Sequence, residues 1–537
     1  MNYATVGRRG MAVAPHSLAA ESAVSILREG GNALEAMVSA AATIAVVYPH
    51  MNSIGGDAFW VMRGPNGTPG GIDASGPSAA AASISHYRDQ RGISDAIPFR
   101  GKDAALTVAG TVGGWAKALG VSRKIGGRLP LRRLLADAIW LAENGVPVTQ
   151  SQASNTAAKY QELKDIPGFA DTFLIDQKPP SQGMLFKQPR LAATFKRLAH
   201  AGLDDFYRGQ IAHDNARDLQ ALGSPLRLSD FAHYSARLVD PLQYAVEGAA
   251  LRNMRPPSQG LVSLLILAIM NRVHQQHPHA LDGPEAAGFI HLQVEATKLA
   301  FRVRNQHLTD PDHMTCTAES LLAPEAIDAL ASEVDLARAA PWGRRTETGD
   351  TVWMGVVDQH GIAVSFIQSI YHEFGSGIVL PSTGINWQNR GCSFSLDPQH
   401  INCLAPGKRP FHTLNAGLAE LADGSTMVYG SMGGDGQPQT QATLFTRVHR
   451  FGLSPQEAIS QPRWLLGRTW GNASDSLKLE SRFSDAVFAE LTRKGHWVER
   501  IGSWDESVGH AGMIRRYASG VLEGGFDPRS NGGVAAF

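Results

Sequence analysis

The sequence predicts a mixed α+β fold in which helices lie flat against sheets that are covered on both faces. Two helical segments near the start are rich in alanine, and small side chains let a helix approach a flat sheet closely. The runs 351–357 and 362–369 are almost wholly apolar over strand length, the pattern of strands with no solvent face. A length of 537 residues calls for several layers or more than one core.

The elements follow in order. Residues 11–14 form a short strand, and Ser17 caps a helix running to about Glu29, stopped by Gly30-Gly31. Asn32 caps a second helix over 33–47, ended by Pro49. Residues 59–63 make a strand, with Pro65-Asn66-Gly67 as its turn. The patterns over 131–145, 190–222 and 284–305 are helical. Pro256-Pro257-Ser258-Gln259-Gly260 is a loop feeding an apolar helix over 261–270, and 324–340 is helical with proline in its first turn. Residues 341–350 are an exposed, breaker-rich loop. Strands recur near 378–387, 414–422 and 426–431, with a helix over 438–450.

The texture changes most sharply at 350/351. If Gln359-His360-Gly361 is a three-residue loop with Gly361 left-handed, Asp358 pairs with Ile362 and Thr351 comes to lie opposite Ser369. A four-residue loop would slip this pairing by one. Taken alone, Thr351 reads as no more than the first residue of a buried strand.

Composition excludes several function classes. Lys+Arg and Asp+Glu both number 49, so nothing points to nucleic acid or an anionic membrane. Apolar residues are 43% and charged residues 18%, as in ordinary globular proteins. The three cysteines, Cys316, Cys392 and Cys403, form no C-x-x-C and are expected to be free and buried, as in a reducing compartment, rather than a Cys392–Cys403 redox pair. Arg8-Arg9 is followed by an interrupted segment rather than an apolar signal core, and no run approaches about 18 apolar residues. A cytoplasmic protein without a membrane span is expected. His372-Glu373 lacks the second histidine of a zinc-protease motif, and no phosphate loop, nucleophile elbow or clustered ligands are found. No metal or cofactor is proposed.

Ordered motifs across nearly the whole chain then carry a resemblance. They include Pro15-His16-Ser17-Leu18-Ala19, Gly30-Gly31-Asn32-Ala33, Pro49-His50-Met51-Asn52-Ser53-Ile54-Gly55-Gly56 and Ala109-Gly110-Thr111-Val112-Gly113-Gly114. Met254-Arg255-Pro256-Pro257-Ser258-Gln259-Gly260 and Glu295-Ala296-Thr297-Lys298-Leu299-Ala300-Phe301 follow. Thr351 with Val356-Val357-Asp358, then Phe374-Gly375-Ser376-Gly377 and Gly430-Ser431-Met432-Gly433-Gly434, complete the series. In these the chain resembles the γ-glutamyltransferase family of N-terminal-nucleophile hydrolases.

The resemblance implies a four-layer αββα sandwich built jointly by residues 1–350 and 351–537, large and small subunits cut from one precursor between Asp350 and Thr351. Many relatives are dimers of such a processed pair. Thr351 is then the nucleophile, and its freed α-amine, with a reference pKa of about 7.7–8.0, is the base. Ser369 takes the place of a threonine that hydrogen-bonds the nucleophile. Gly433 and Gly434 stand where the family's oxyanion-hole glycines lie, though two glycines also make an ordinary turn.

The family's γ-glutamyl-binding set is altered. The arginine for the α-carboxylate aligns with Asp73 and the aspartate for the α-amine with Ser393. A glutamine becomes Arg390, an asparagine becomes Tyr371, paired serines become His412-Thr413, and Val352-Trp353 follow the nucleophile. Asp73 is expected to repel a carboxylate at the old position, Arg390 to receive one, and Tyr371, Trp353 and His412 to shrink the pocket. Arg390 as an ion-pair partner and His412 as a hydrogen-bonding core residue are the plainer readings. The expected substrate is a small carboxylate-bearing amide without an α-amine, as in the oxamate amidohydrolases of purine (urate and allantoin) breakdown. The competing readings are a γ-glutamyl hydrolase, a β-lactam side-chain acylase, and an unprocessed, non-catalytic relative.

Overall fold

A computed structural model describes residues 4–343, 349–468 and 474–537. Fourteen strands build two seven-stranded antiparallel sheets. In chain order they are β1 (Thr5–Gly7), β2 (Gly10–Ala14), β3 (Asp57–Arg63), β4 (Pro69–Ala74), β5 (Arg237–Val239), β6 (Leu242–Val246) and β7 (Ala249–Asn253), then β8 (Asp350–Asp358), β9 (Ala363–Tyr371), β10 (Gly417–Leu421), β11 (Thr426–Ser431), β12 (Ala511–Arg516), β13 (Leu522–Phe526) and β14 (Gly533–Ala536). The first sheet runs β14-β2-β8-β9-β3-β4-β5 and the second β1-β13-β12-β11-β10-β7-β6. Each sheet therefore takes strands from both sides of the 350/351 position.

Side-chain alternation divides the core into three apolar layers, the signature of four stacked secondary-structure layers. Val352, Met354 and Val356 of β8, with Ala58 and Trp60 of β3, pack under α1 (Ser17–Arg28) and α2 (Ala33–Val47). Trp353, Val357, Phe59, Val61 and Ile367 point the other way and meet Leu418, Val428, Ile514 and Leu522 of the second sheet. Ala419, Met427 and Met513, on that sheet's outer face, pack against α3 (Gly260–Gln276), α4 (Ala287–His307) and α5 (Gly436–His449). The fold is the αββα sandwich expected.

Local chemistry explains the main boundaries. Asn32 and Glu35 form a reciprocal capping box at the start of α2. The cap of α1 is His16, whose Nδ1 accepts from Leu18 N, and Ser17 is the first helical residue rather than the cap. Gly361 has φ +79°, and Asp358 N bonds Ile362 O at 3.1 Å, so the β8–β9 turn is the three-residue loop expected.

Other expectations are corrected. The helix from Pro324 ends at Ser332, because Asp335 accepts from Ala337 N and Arg338 N and turns the chain. The 190–222 segment is broken at Gly202 and Gly209 into Pro189–Ala201, Asp205–Arg208 and Gln210–Leu222. Residues 378–387 hold only isolated bridges, Val379 with Asn386 and Trp387 with Gly55, rather than a strand. The cysteines are free but half-buried. Much of the 341–350 loop lies outside the described residues. Among the described residues no helix is long and apolar enough to cross a membrane.

Candidate functional site

The site forms where three buried strands of the first sheet exchange apolar residues for polar ones at the same end. Along the face toward the second sheet, β8 runs Val357, Gly355, Trp353 to Thr351; β9 runs Ala363, Ser365, Ile367 to Ser369; β3 runs Val61, Phe59 to Asp57. Ser369 pairs directly with Asp57 across β9 and β3. Gly56 permits this approach, since a Cβ there would lie 2.2 Å from Ser369 O.

The β8–β9 ladder follows the expected pairing from Val357 with Ala363 to Val352 with Gln368, then shifts. Asp350 lies opposite Tyr371, so β9 carries one extra residue and Ser369 with Ile370 together face Thr351. The expected Thr351–Ser369 pairing is thus replaced by a bulge. Its strain is visible at Tyr371, a non-glycine residue with φ +83°, whose N–H is held by Ser369 Oγ at 2.7 Å.

Thr351 is 1% exposed. Its Oγ1 accepts from Gln437 Nε2 at 3.3 Å. Gln437 lies in the first turn of α5, and its Oε1 is fixed by Asn415 N at 3.1 Å and Asn415 Nδ2 at 3.3 Å. Just before α5, Gly433 and Gly434 take φ +111° and +50°. Their carbonyls accept from Gly436 N and Gln437 N, while neither glycine N–H has an acceptor among the described residues. Gln259, in the Pro-Pro-Ser-Gln loop, bridges this turn to the 413 segment through Gly434 O (2.9 Å) and Thr413 O (2.6 Å). Asp435 is anchored below by Arg304 at 2.6 Å.

Arg390 and Tyr371 come together, with the guanidinium 3.9 Å from the ring centroid and both residues buried. His412 is fully buried, edge-on to Phe59 at 5.1 Å. Burial, with the fields of Arg390 and Arg409, holds its imidazole neutral, well below the usual histidine range. Thr413 is fully buried beside it. Ser393 Oγ instead ties backbone to backbone, donating to Arg390 O at 2.9 Å and Phe411 O at 3.3 Å.

Two inferred pocket effects are corrected. Asp73 is neutralised by Arg409 at 2.9 Å, which also binds Asp310 at 2.6 Å, so its charge is already satisfied within the protein. Trp353 does not narrow the site. Its ring fills the space between the sheets over Gly355, Gly430 and Gly512, and Nε1 donates to Ser365 Oγ at 3.0 Å.

Asp57 went unread in the sequence, although an acid at the head of the apolar run Asp57–Arg63 is a signal in itself. Its Oδ1 accepts from Gly76 N (3.0 Å) and Gly110 N (2.9 Å), and Oδ2 lies 3.3 Å from His412 Nε2. Burial pushes its carboxyl up to about 8, against the pull of Arg390, the two amides and Gln388. A cluster of possible metal ligands was also unread: His291, Glu295 and His496 converge. It is internally bonded, with His291 Nδ1 2.7 Å from His496 Nε2, His291 Nε2 on Asp335 O, and Glu295 taking Lys298 Nζ and Ala340 N.

The family model described as gamma-glutamyltranspeptidase matches residues 19–537. The chain is 56% identical over 538 residues to the oxamate amidohydrolase proenzyme of Klebsiella pneumoniae, covering 100% of both chains. It is 38% identical to a glutathione hydrolase-like proenzyme of Bacillus subtilis, over 99% of each. Among solved structures, a cephalosporin acylase from Bacillus halodurans superposes with TM-score 0.89 at 33% identity, covering 100% of this chain and 97% of that one.

Proposed function

We propose, since the chain belongs to the gamma-glutamyltranspeptidase family and is an amide-hydrolysing enzyme, that it cuts itself between Asp350 and Thr351 and then hydrolyses oxamate to oxalate and ammonia. The observation that carries this is the setting of Thr351: a buried hydroxyl at the head of β8, held by Gln437, whose helix opens from a turn with two glycine N–H groups that have no acceptor among the described residues.

In the precursor the Thr351 nitrogen is an amide and cannot act as a base. The hydroxyl adds to the Asp350 carbonyl, the C–N bond breaks, and water resolves the ester, leaving fragments 1–350 and 351–537. The new α-amine, with a reference pKa of about 7.7–8.0, then takes the hydroxyl proton near neutral pH. Attack on the amide expels ammonia, and water frees the acid. Gly433 and Gly434 are the donors for the tetrahedral oxyanion, a contribution worth about 2.7–4 kcal/mol for one such donor. Arg390 receives the substrate carboxylate, while Tyr371, His412, Thr413 and Ser393 shape the subsite. On this reading the enzyme serves purine degradation and works in the cytoplasm, a reducing compartment that suits three free cysteines.

The likeness to a cephalosporin acylase and a glutathione hydrolase-like protein supports a second reading, in which the acid-bearing amide is larger. Ammonia release from oxamate and glutamate release from glutathione, both measured on protein confirmed as two fragments, separate them. Oxamate turnover without glutathione turnover is expected; comparable rates on both would refute the assignment. A lasting single band in denaturing electrophoresis would support a non-catalytic relative instead.

A further inference from the structure

Two buried polar atoms at zero exposure, His412 Nδ1 and Thr413 Oγ1, have no hydrogen-bond partner among the described residues, and beside them Asp57 Oδ2 and His412 Nε2 lie 3.3 Å apart. Such buried polar atoms are costly unless something supplies them a partner. Their convergence beside Ser369, in the field of Arg390, marks where a polar ligand docks.

We propose that Asp57 and His412 form a proton-sharing pair that sets the charge of this subsite and thereby makes binding of a substrate carboxylate depend on one proton. This rests on the reading of the substrate as a small carboxylate-bearing amide. With one proton between Asp57 Oδ2 and His412 Nε2, 3.3 Å apart, the pair is neutral and the Arg390 guanidinium attracts an anion. When that proton leaves to water, Asp57 becomes a buried carboxylate that cancels Arg390 and repels the incoming acid.

The surrounding groups leave this pair as the switch. Arg409 is committed to Asp73 and Asp310. Tyr207 and Tyr234 are held neutral by burial. Gln388 carries no charge, and Tyr371 lies under Arg390. Burial holds Asp57 protonated to about pH 8, so the change falls in an accessible window. The α-amine of cut Thr351 titrates near the same pH, but it acts on the chemical step rather than on recognition of the carboxylate.

The test is the pH dependence of KM for oxamate in the cut enzyme, with oxamide, the neutral diamide, as the carboxylate-free control. KM for oxamate is expected to be level up to about pH 8 and then to climb about tenfold per pH unit, one proton per anion bound, while KM for oxamide stays level. Asp57→Asn is expected to abolish the climb and His412→Gln to move its onset. A climb shared by oxamide, or one that survives in Asp57→Asn, overturns the proposal. Formation of the two fragments reports folding of each variant. Independently, oxalate binding to the wild-type enzyme at pH 9, measured in buffers of different ionisation enthalpy, is expected to take up close to one proton, and none would overturn the pair. Should oxamate not be turned over at all, the substrate reading fails, and the oxalate proton count still decides the inference.

Discussion

Gln437 Nε2 donates to Thr351 Oγ1 across 3.3 Å, and both side chains are sealed from solvent. The amide cannot turn freely, because its oxygen is held by Asn415 N and Asn415 Nδ2. A fixed N–H on one lone pair of Oγ1 leaves the hydroxyl proton to point elsewhere, toward the base that must remove it. Gln437→Leu is therefore expected to slow both self-cleavage and turnover by about 10- to 100-fold, the loss of one hydrogen bond of roughly 1.5–3 kcal/mol to the reacting group. Gel densitometry over time reads the first and steady-state ammonia release the second. Unchanged rates in both would remove Gln437 from the machinery.

Thr351 itself gives the sharpest contrast. Thr351→Ala has no nucleophile and is expected to remain one chain of 537 residues indefinitely. Thr351→Ser keeps an oxygen but loses the β-branch that restricts χ1, so it is expected to process more slowly and to yield a fragment beginning at serine. Intact-mass measurement distinguishes these outcomes. A wild-type fragment starting at any other residue would refute the cleavage position.

The layers of the sandwich were legible because periodicity reports burial. The double-sided apolar character of β8 and β9, the alanine-rich α2 and the Gly361 loop all appear as read, and they fix the register to within one residue of Thr351. The bulge at Ser369–Ile370 was not legible, since nothing in the apolar pattern marks where a ladder stops. Trp353 was misplaced for a related reason. Adjacency to the nucleophile suggested the pocket, whereas its ring, on the same face but one pleat further into the strand, is taken up in covering Gly355, Gly430 and Gly512. Asp57 and Gln437 escaped because their roles arise from neighbours 355 and 86 positions away, His412 and Thr351. The glycine-rich β13 and β14 offered too little side chain to pattern.

Trp353 gives a stability prediction that separates core from pocket. Its ring lies 2.2 Å from where a Cβ on Gly430 would stand and 2.4 Å from one on Gly512, so the site is filled by tryptophan against bare backbone. Trp353→Ala is expected to cost about 3–5 kcal/mol, the usual range for a buried aromatic truncation, with the Ser365 hydroxyl left unpaired. Gly430→Ala should destabilise as well, since the ring has no room to yield. A lowered denaturant midpoint with an unchanged ratio of oxamate to glutathione turnover is the expected result; a changed ratio would return Trp353 to the specificity determinants.

Acid stability depends on histidines the reaction does not use. Burial lowers His16 and His510 to about 4, and His50 and His496 to about 3, with Lys298 and Lys494 adding to the effect at His496 and Arg463 and Arg529 opposing Asp527 at His510. In the unfolded chain each titrates near 6.5. Between those values the unfolded state binds more protons than the folded one, so stability falls as pH drops from about 6.5 toward 3. Each of the four is expected to contribute roughly 1 kcal/mol of loss between pH 7 and 5.5. His16, His50 and His510 each contact the ring of Tyr48, so protonating His16 or His510 raises the cost of protonating His50. The urea midpoint should therefore decline steeply over this interval, and His50→Gln, which cannot gain a proton, should flatten part of the slope. A midpoint independent of pH from 7 to 5.5 would show that these imidazoles accept protons in the folded state as readily as in the unfolded one.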